Sequence, residues 1–220
     1  MLIRSAACGP LEANCYLLAP DKGEECVIID PGMEAAGDIT TLVAIHQLTP
    51  VAILATHGHY DHVADAGKLA ARFDVPVWIH SGDRHLLANP AAAATGIDDW
   101  WTGILPESLD EPATVNLLDE AGPLKLAGME IGVIHAPGHS RGSTLFQVAG
   151  PDWPVVFTGD VLFAGSVGRT DTPGGDKRVM GQTLAGPVLS LPDAARILPG
   201  HGPATIMAVE RAANPYLRFA

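Results

Sequence analysis

Residues 51–62 read VAILATHGHYDH, an apolar run that ends in three histidines and an aspartate within six positions. A helix over this segment would scatter the imidazoles around its circumference. A strand that ends here and opens into a loop lets His57 and His59, two positions apart, point the same way. Asp61 and His62 then turn toward a second point at the start of the next helix. So many ligand-type side chains at one strand end point to more than one metal ion.

Three further apolar strands stop at a polar residue in glycine-rich context: APGHSRG gives His139, VVFTGDVLF gives Asp160 and RILPGHGP gives His201. Strands that end this way aim side chains at one edge of a sheet, and the glycines let backbone approach and turn there without strain. His57, His59 and His139 offer three nitrogens to one ion, while Asp61, His62 and His201 offer ligands to a second. Asp160, with two carboxylate oxygens, is placed to bridge them. Two ions about 3.5–4 Å apart share a water and bring its pKa toward neutrality, which makes a hydroxide nucleophile without a separate base. Asp61 and Asp160 are therefore the carboxylates expected to serve the chemistry as well as the ligation.

Around these residues, strand-like and helix-like segments alternate. NCYLLAP and ECVIIDPG flank the turn DKGE as a hairpin of strands. Met33 to Leu48 has helical spacing, as does Asp61 to Phe73, with VAILAT and VPVWIH as strands. In the second half PLKLAG, MEIGVIHAPG, STLFQVAG and WPVVFTGD read as strands, with helices near Lys177 to Leu189 and Pro203 to Arg211. Asn89 to Pro112 exceeds the ~12–15 residues of an ordinary connection and is expected to carry local helix or form a rim loop. Trp100 and Trp101 lie in it, as loop packing or as a wall for substrate. His46, His80, His85 and His135 read as ordinary core or surface residues. Pro137 and Gly138 break any helix that would pair His135 with His139.

Composition narrows the partners. With 25 acidic against 13 basic residues the formal net charge is −12, and no Lys/Arg cluster interrupts the acidity, which argues against a nucleic-acid partner. No run approaches the ~20 apolar residues of a membrane span, and MLIRSAACGPLEANCYLL does not read as a signal peptide. A cytoplasmic location with no membrane partner is expected. Cys8, Cys15 and Cys26 form no C-x-x-C pair and read as reduced core thiols.

THGHYDH matches the H-x-H-x-D-H signature of the metallo-β-lactamase superfamily, and APGHS, TGD and PGHGP match its later ligand motifs in order. Within it the chain resembles short bacterial glyoxalase II-like hydrolases through GDVLFAGSVGRTD, GGD, LPD, PGHGPATI and the ERAANPYL tail. The resemblance implies a single domain over residues 1–220, an α/β four-layer αβ/βα sandwich without the long C-terminal helical region of full-length glyoxalase II. It also implies two divalent ions, zinc first with iron or manganese admitted, and hydrolysis of a small-molecule thioester such as S-D-lactoylglutathione. Arg169 in GRTD is placed to hold a carboxylate of the thiol, or else to pair with Asp171. GRTD is shared with persulfide dioxygenases, which hold one Fe(II); here His57, His139 and Asp160 would be its ligands. A metal-binding scaffold without catalysis is a further alternative. β-Lactamase activity is disfavoured because many such enzymes carry Cys where this chain has Asp160.

Overall fold

The computed structural model describes residues 1–94, 103, 105–106, 108–119 and 122–218. Its continuous apolar runs are strands covered on both faces, with alternate side chains entering different layers. Sheet one holds β1 (Leu2–Cys8), β2 (Ala13–Ala19), β3 (Glu25–Ile29), β4 (Thr49–Leu54), β5 (Val77–Ile79) and β6 (Val115–Leu117) in that order. Its first three strands are antiparallel, and β3 to β6 run parallel. Sheet two comprises β7 (Leu124–Leu126), β8 (Met129–His135), β9 (Thr144–Val148), β10 (Val155–Gly159), β11 (Arg196–Pro199) and β12 (Thr205–Ile206), also neighbours in chain order. Only β10 and β11 pair in parallel within it.

Alternation sorts the core into three layers. Leu18, Ile29, Leu54, Phe146, Phe157 and Leu198 meet between the sheets. Their chain neighbours Leu17, Ile28 and Ile53 face outward against α1 (Ala35–His46) and α3 (Ala66–Phe73), which follows the single turn α2 (Tyr60–Val63). On the far side Leu145, Val156 and Ile197 pack against α4 (Lys177–Thr183) and α5 (Met207–Ala213). This is the four-layer αβ/βα sandwich. Phe146 and Phe157 are fully buried at its centre, where truncation to alanine costs about 3–5 kcal/mol. The three cysteines are buried and unpaired.

Three segments depart from the sequence reading. The helix expected from Asp61 to Phe73 is interrupted between α2 and α3. There the Asp65 N–H donates to Pro31 O at 3.0 Å, and its carboxylate accepts the Ala36 N–H at 2.8 Å, at the start of α1. Pro203 to Ile206 is extended rather than helical, because Thr205 and Ile206 pair with β11 at the sheet edge. From Leu184 to Val188 the helix widens to a π-turn around Pro187, whose missing N–H cannot continue an α-helical ladder. Of the long connection, Pro90–Ala93 is a 3-10 turn. Trp100 and Trp101 fall outside the described residues.

Candidate metal centre

All seven expected ligands come to one edge of the sandwich, five from beyond a strand end and two from the single turn α2. His57 and His59 follow β4, Asp61 and His62 sit on α2, His139 lies between β8 and β9, Asp160 follows β10, and His201 follows β11. Backbone bonds stitch the two sheets together there: Thr144 N–H donates to Thr56 O at 2.8 Å and Asn14 N–H to Gly200 O at 2.7 Å. Glycine is required at the closest approaches. A Cβ on Gly200 would lie 2.2 Å from Asp160 Oδ1, and one on Gly159, whose φ is +47°, would lie 2.3 Å from Thr56 Oγ1.

The expected ligand atoms form two groups, and a third cluster of Asp30, His57 and His62 joins one member of each. One nitrogen each from His57, His59 and His139 lie within 4.8 Å of one another, as do single ligand atoms of Asp61, His62 and His201. Asp160 reaches members of both: Oδ1 is 3.4 Å from His62 Nε2, and Oδ2 is 3.6 Å from both His139 Nε2 and His201 Nε2.

The outward nitrogens show which way the rings are set. His139 Nδ1 bonds Arg169 O at 2.8 Å, and His201 Nδ1 bonds Leu11 O at 3.0 Å. His62 Nδ1 bonds Asp30 Oδ2 at 3.2 Å. Thr56 Oγ1 donates to Asp30 Oδ2 at 2.6 Å, so its lone pair takes the Nδ1–H of His57 at 3.1 Å. Carbonyl, carboxylate and this hydroxyl lone pair all accept, which assigns a proton to Nδ1 in four rings and turns their Nε2 atoms inward, where those of His62 and His201 stand 3.2 Å apart. His59 turns Nδ1 inward instead, 2.8 Å from His139 Nε2. His57 Nε2 and Asp160 Oδ1 are buried without a hydrogen-bond partner. Buried lone pairs facing one another are what a bound cation satisfies, and anchored imidazoles behind them are the usual support of a metal site. The residues fit divalent ions.

Electrostatics separates the groups. Burial, followed by the neighbouring histidines, pushes His57 well below the ordinary imidazole value, and it pushes His139 down to about 4. Burial likewise lowers His59. These rings are neutral ligands without help from an ion. Burial also acts against charge on His62, but Asp61, Asp160 and Asp30 outweigh it and carry that ring up to about 10. Burial would raise Asp61, yet His62 and His201 hold it well below the carboxylate range. His201 is raised against its own burial by Asp61 and Asp160. The second group thus demands positive charge, from protons or from a metal.

A cavity of about 310 Å³ opens onto His59, Asp61, His139, Asp160 and His201, with Leu11, Pro90, Ala93, Leu105 and Phe163 as its apolar wall. Arg169 also lines it, while its guanidinium grips Asp171 through two bonds of 2.7 and 3.0 Å. His80 and His135 stand apart from the ligand groups, stacked 3.9 Å apart. Asp30 is the residue that sequence reasoning missed. Its carboxylate accepts from Thr56 N at 2.7 Å as well as from Thr56 Oγ1 and His62. The signal was present in ECVIIDPG, an apolar strand ending at an acid before Pro-Gly, the same form that marks Asp160.

Comparison with known proteins agrees with this layout. The metallo-β-lactamase superfamily profile matches residues 8–201. Hydroxyacylglutathione hydrolase GloC of Haemophilus influenzae is 34% identical over 208 residues, 94% of this chain and 93% of that protein. Among solved structures, the BLEG-1 B3 metallo-β-lactamase superposes with a TM-score of 0.83 at 34% identity, over 98% of this chain and 99% of that one. A protein crystallised in a di-iron-bound form superposes at 0.79 with 37% identity, over 97% and 100%. With the profile spanning residues 8–201, every expected ligand among them, the chain belongs to the metallo-β-lactamase superfamily.

Proposed function

We propose that this protein is a metal-dependent hydrolase of an acyl thioester, with S-D-lactoylglutathione or a related thiol ester as substrate. The observation that carries the metal dependence is the set of four imidazoles, His57, His62, His139 and His201, whose Nδ1 atoms are held by fixed acceptors and whose Nε2 atoms turn inward. The thioester class is supported by the likeness to GloC, a hydroxyacylglutathione hydrolase. His57, His59 and His139 would hold one divalent ion, and Asp61, His62 and His201 the other, with Asp160 serving both. When bound, such ions make water acidic enough to attack at neutral pH and polarise a carbonyl oxygen. Imidazole and carboxylate ligands accept zinc, iron or manganese.

The chain's own part is to hold the donors rigidly, to keep Asp61 ionised beside His62 and His201, and to wall the reacting group with apolar side chains. A thiol of pKa about 8.5 leaves as a thiolate with little protonation, so no side chain is needed as a general acid. Arg169, at the cavity, would orient a carboxylate on the thiol by sharing a guanidinium already bound to Asp171.

The test is thiol release, followed with a disulfide reagent, from a panel of acyl thiols by protein loaded with zinc, iron or manganese. Release that chelation abolishes is expected. No release from any acyl thiol with any of the metals overturns the thioester reading. The likeness to BLEG-1 favours a second reading, β-lactam hydrolysis, so a chromogenic β-lactam belongs in the panel. Oxygen uptake with glutathione persulfide, in place of thiol release, would point to the dioxygenase.

A further inference from the structure

Asp83 lies in the 3-10 segment Ser81–Leu87, is 2% exposed, and belongs to neither ligand group. Its carboxylate is divided between the two loops that deliver the first group. Oδ2 accepts the N–H of Gly58, the residue between His57 and His59, at 3.0 Å, and the hydroxyl of Ser140, next to His139, at 2.6 Å. Oδ1 accepts the N–H of Gly142 at 2.8 Å.

Glycines make this contact close. A Cβ on Gly58 would fall 2.9 Å from Asp83 O, and one on Gly142 would fall 2.7 Å from Asp83 Cγ. On the other side a Cβ on Gly82 would meet the carbonyl carbon of Arg141 at 2.9 Å. The loop bearing His57 and His59 leaves sheet one, and the loop bearing His139 leaves sheet two. Asp83 bridges them at the point where His59 Nδ1 and His139 Nε2 stand 2.8 Å apart.

We propose that Asp83 is a positioning residue that sets the spacing of these two loops, and so the affinity of the first ligand group for its ion, while touching neither ion nor substrate. The inference rests on the reading that the groups bind divalent ions, and not on the identity of the substrate. An ionised carboxylate only accepts, so it satisfies three donors at once. An asparagine must turn its NH₂ toward at least one of them. Metal sites tolerate donor displacements of only about 0.2 Å, so losing one tie between the loops is felt at the ion.

The test is Co(II) binding to the full-length protein in competition with a chelator, in two backgrounds. His201→Ala leaves the first group whole, and His57→Ala leaves the second. In the His201→Ala background, Asp83→Asn should weaken Co(II) binding about 10–100-fold and shift the visible Co(II) spectrum. Ser140→Ala, which keeps the Asp83 charge and removes one tie, should act in the same direction by less. In the His57→Ala background both should stay within about twofold, as sites without shared partners do. Equal losses in the two backgrounds, or unchanged affinity at a lowered melting temperature, overturn the proposal. Should Asp83→Asn fail to fold, Ser140→Ala is judged by the same criteria. Wild-type protein that binds no Co(II) overturns the metal reading itself, whereas binding without a first-group effect overturns only the role of Asp83.

Discussion

The two ligand groups share Asp160 but are made of different material. The first is three histidines with pKa values held down by burial, drawn from loops of both sheets and ready as neutral ligands. The second mixes a carboxylate with two imidazoles whose pKa values are held up by their acidic neighbours, and its His201 side chain is 27% exposed. An ion held by the first group would meet lone pairs, and one held by the second would compete with protons. On the proposed reading, the two groups would hold the same metal unequally.

Asp160→Ala should erase that difference, because its oxygens reach both groups. Thioester hydrolysis is expected to fall on the order of 10³-fold, and elemental analysis should find fewer ions in both groups. Retention of a full complement of metal would show that Asp160 is not shared.

His201→Ala should sharpen the contrast. Elemental analysis should find about one ion per chain, and activity should drop about 10²-fold. With limiting chelator, wild-type protein should lose its second-group ion first, so the readily stripped fraction should be missing in this variant. Equal resistance of both wild-type ions to the chelator would break the comparison.

Asp30→Ala tests what the groups have in common, since Asp30 supports His57 through Thr56 and His62 directly. Leaving buried donors without their acceptor costs about 3 kcal/mol, and for a domain of this size that lowers the melting temperature by roughly 6–12 °C. A calorimetric scan with an unchanged midpoint would mean that other acceptors replace it. Smallest is Arg169→Ala. It should raise KM less than about tenfold, roughly 1.4 kcal/mol, for thiols carrying a carboxylate, with kcat unaltered. Steady-state kinetics on two lactoyl thioesters that differ only in the thiol would reveal this, and an equal change for both would remove Arg169 from the substrate site.

The clustering histidines and aspartates and most strands were legible because they are written locally. VAILATHGHYDH, VVFTGD and RILPGH each place a polar ligand just past an apolar run, and period-2 alternation then fixes which neighbour of Ile28 and Ile29, or of Val156 and Phe157, enters which layer. The break before α3 was not legible, since the apolar spacing from Val63 to Ala70 runs through it. What stops the helix is the Pro31 carbonyl and the start of α1, some thirty residues earlier in the chain. Pro203 to Ile206 was misread for a similar reason, its strand being imposed by pairing with β11.

By itself the sequence determined which histidines and aspartates gather at one edge of the sandwich, because donor types and strand ends are properties of short segments. Only the tertiary structure decided that Asp30 holds two rings, that Asp83 ties together loops at residues 58 and 140–142, and that Arg169 grips Asp171 at the cavity. A local pattern can mark a carboxylate at a strand end, as at Asp30, but not its partners. Its role is set by which donors the packing of two sheets brings within about 3 Å, and those donors lie in distant parts of the chain.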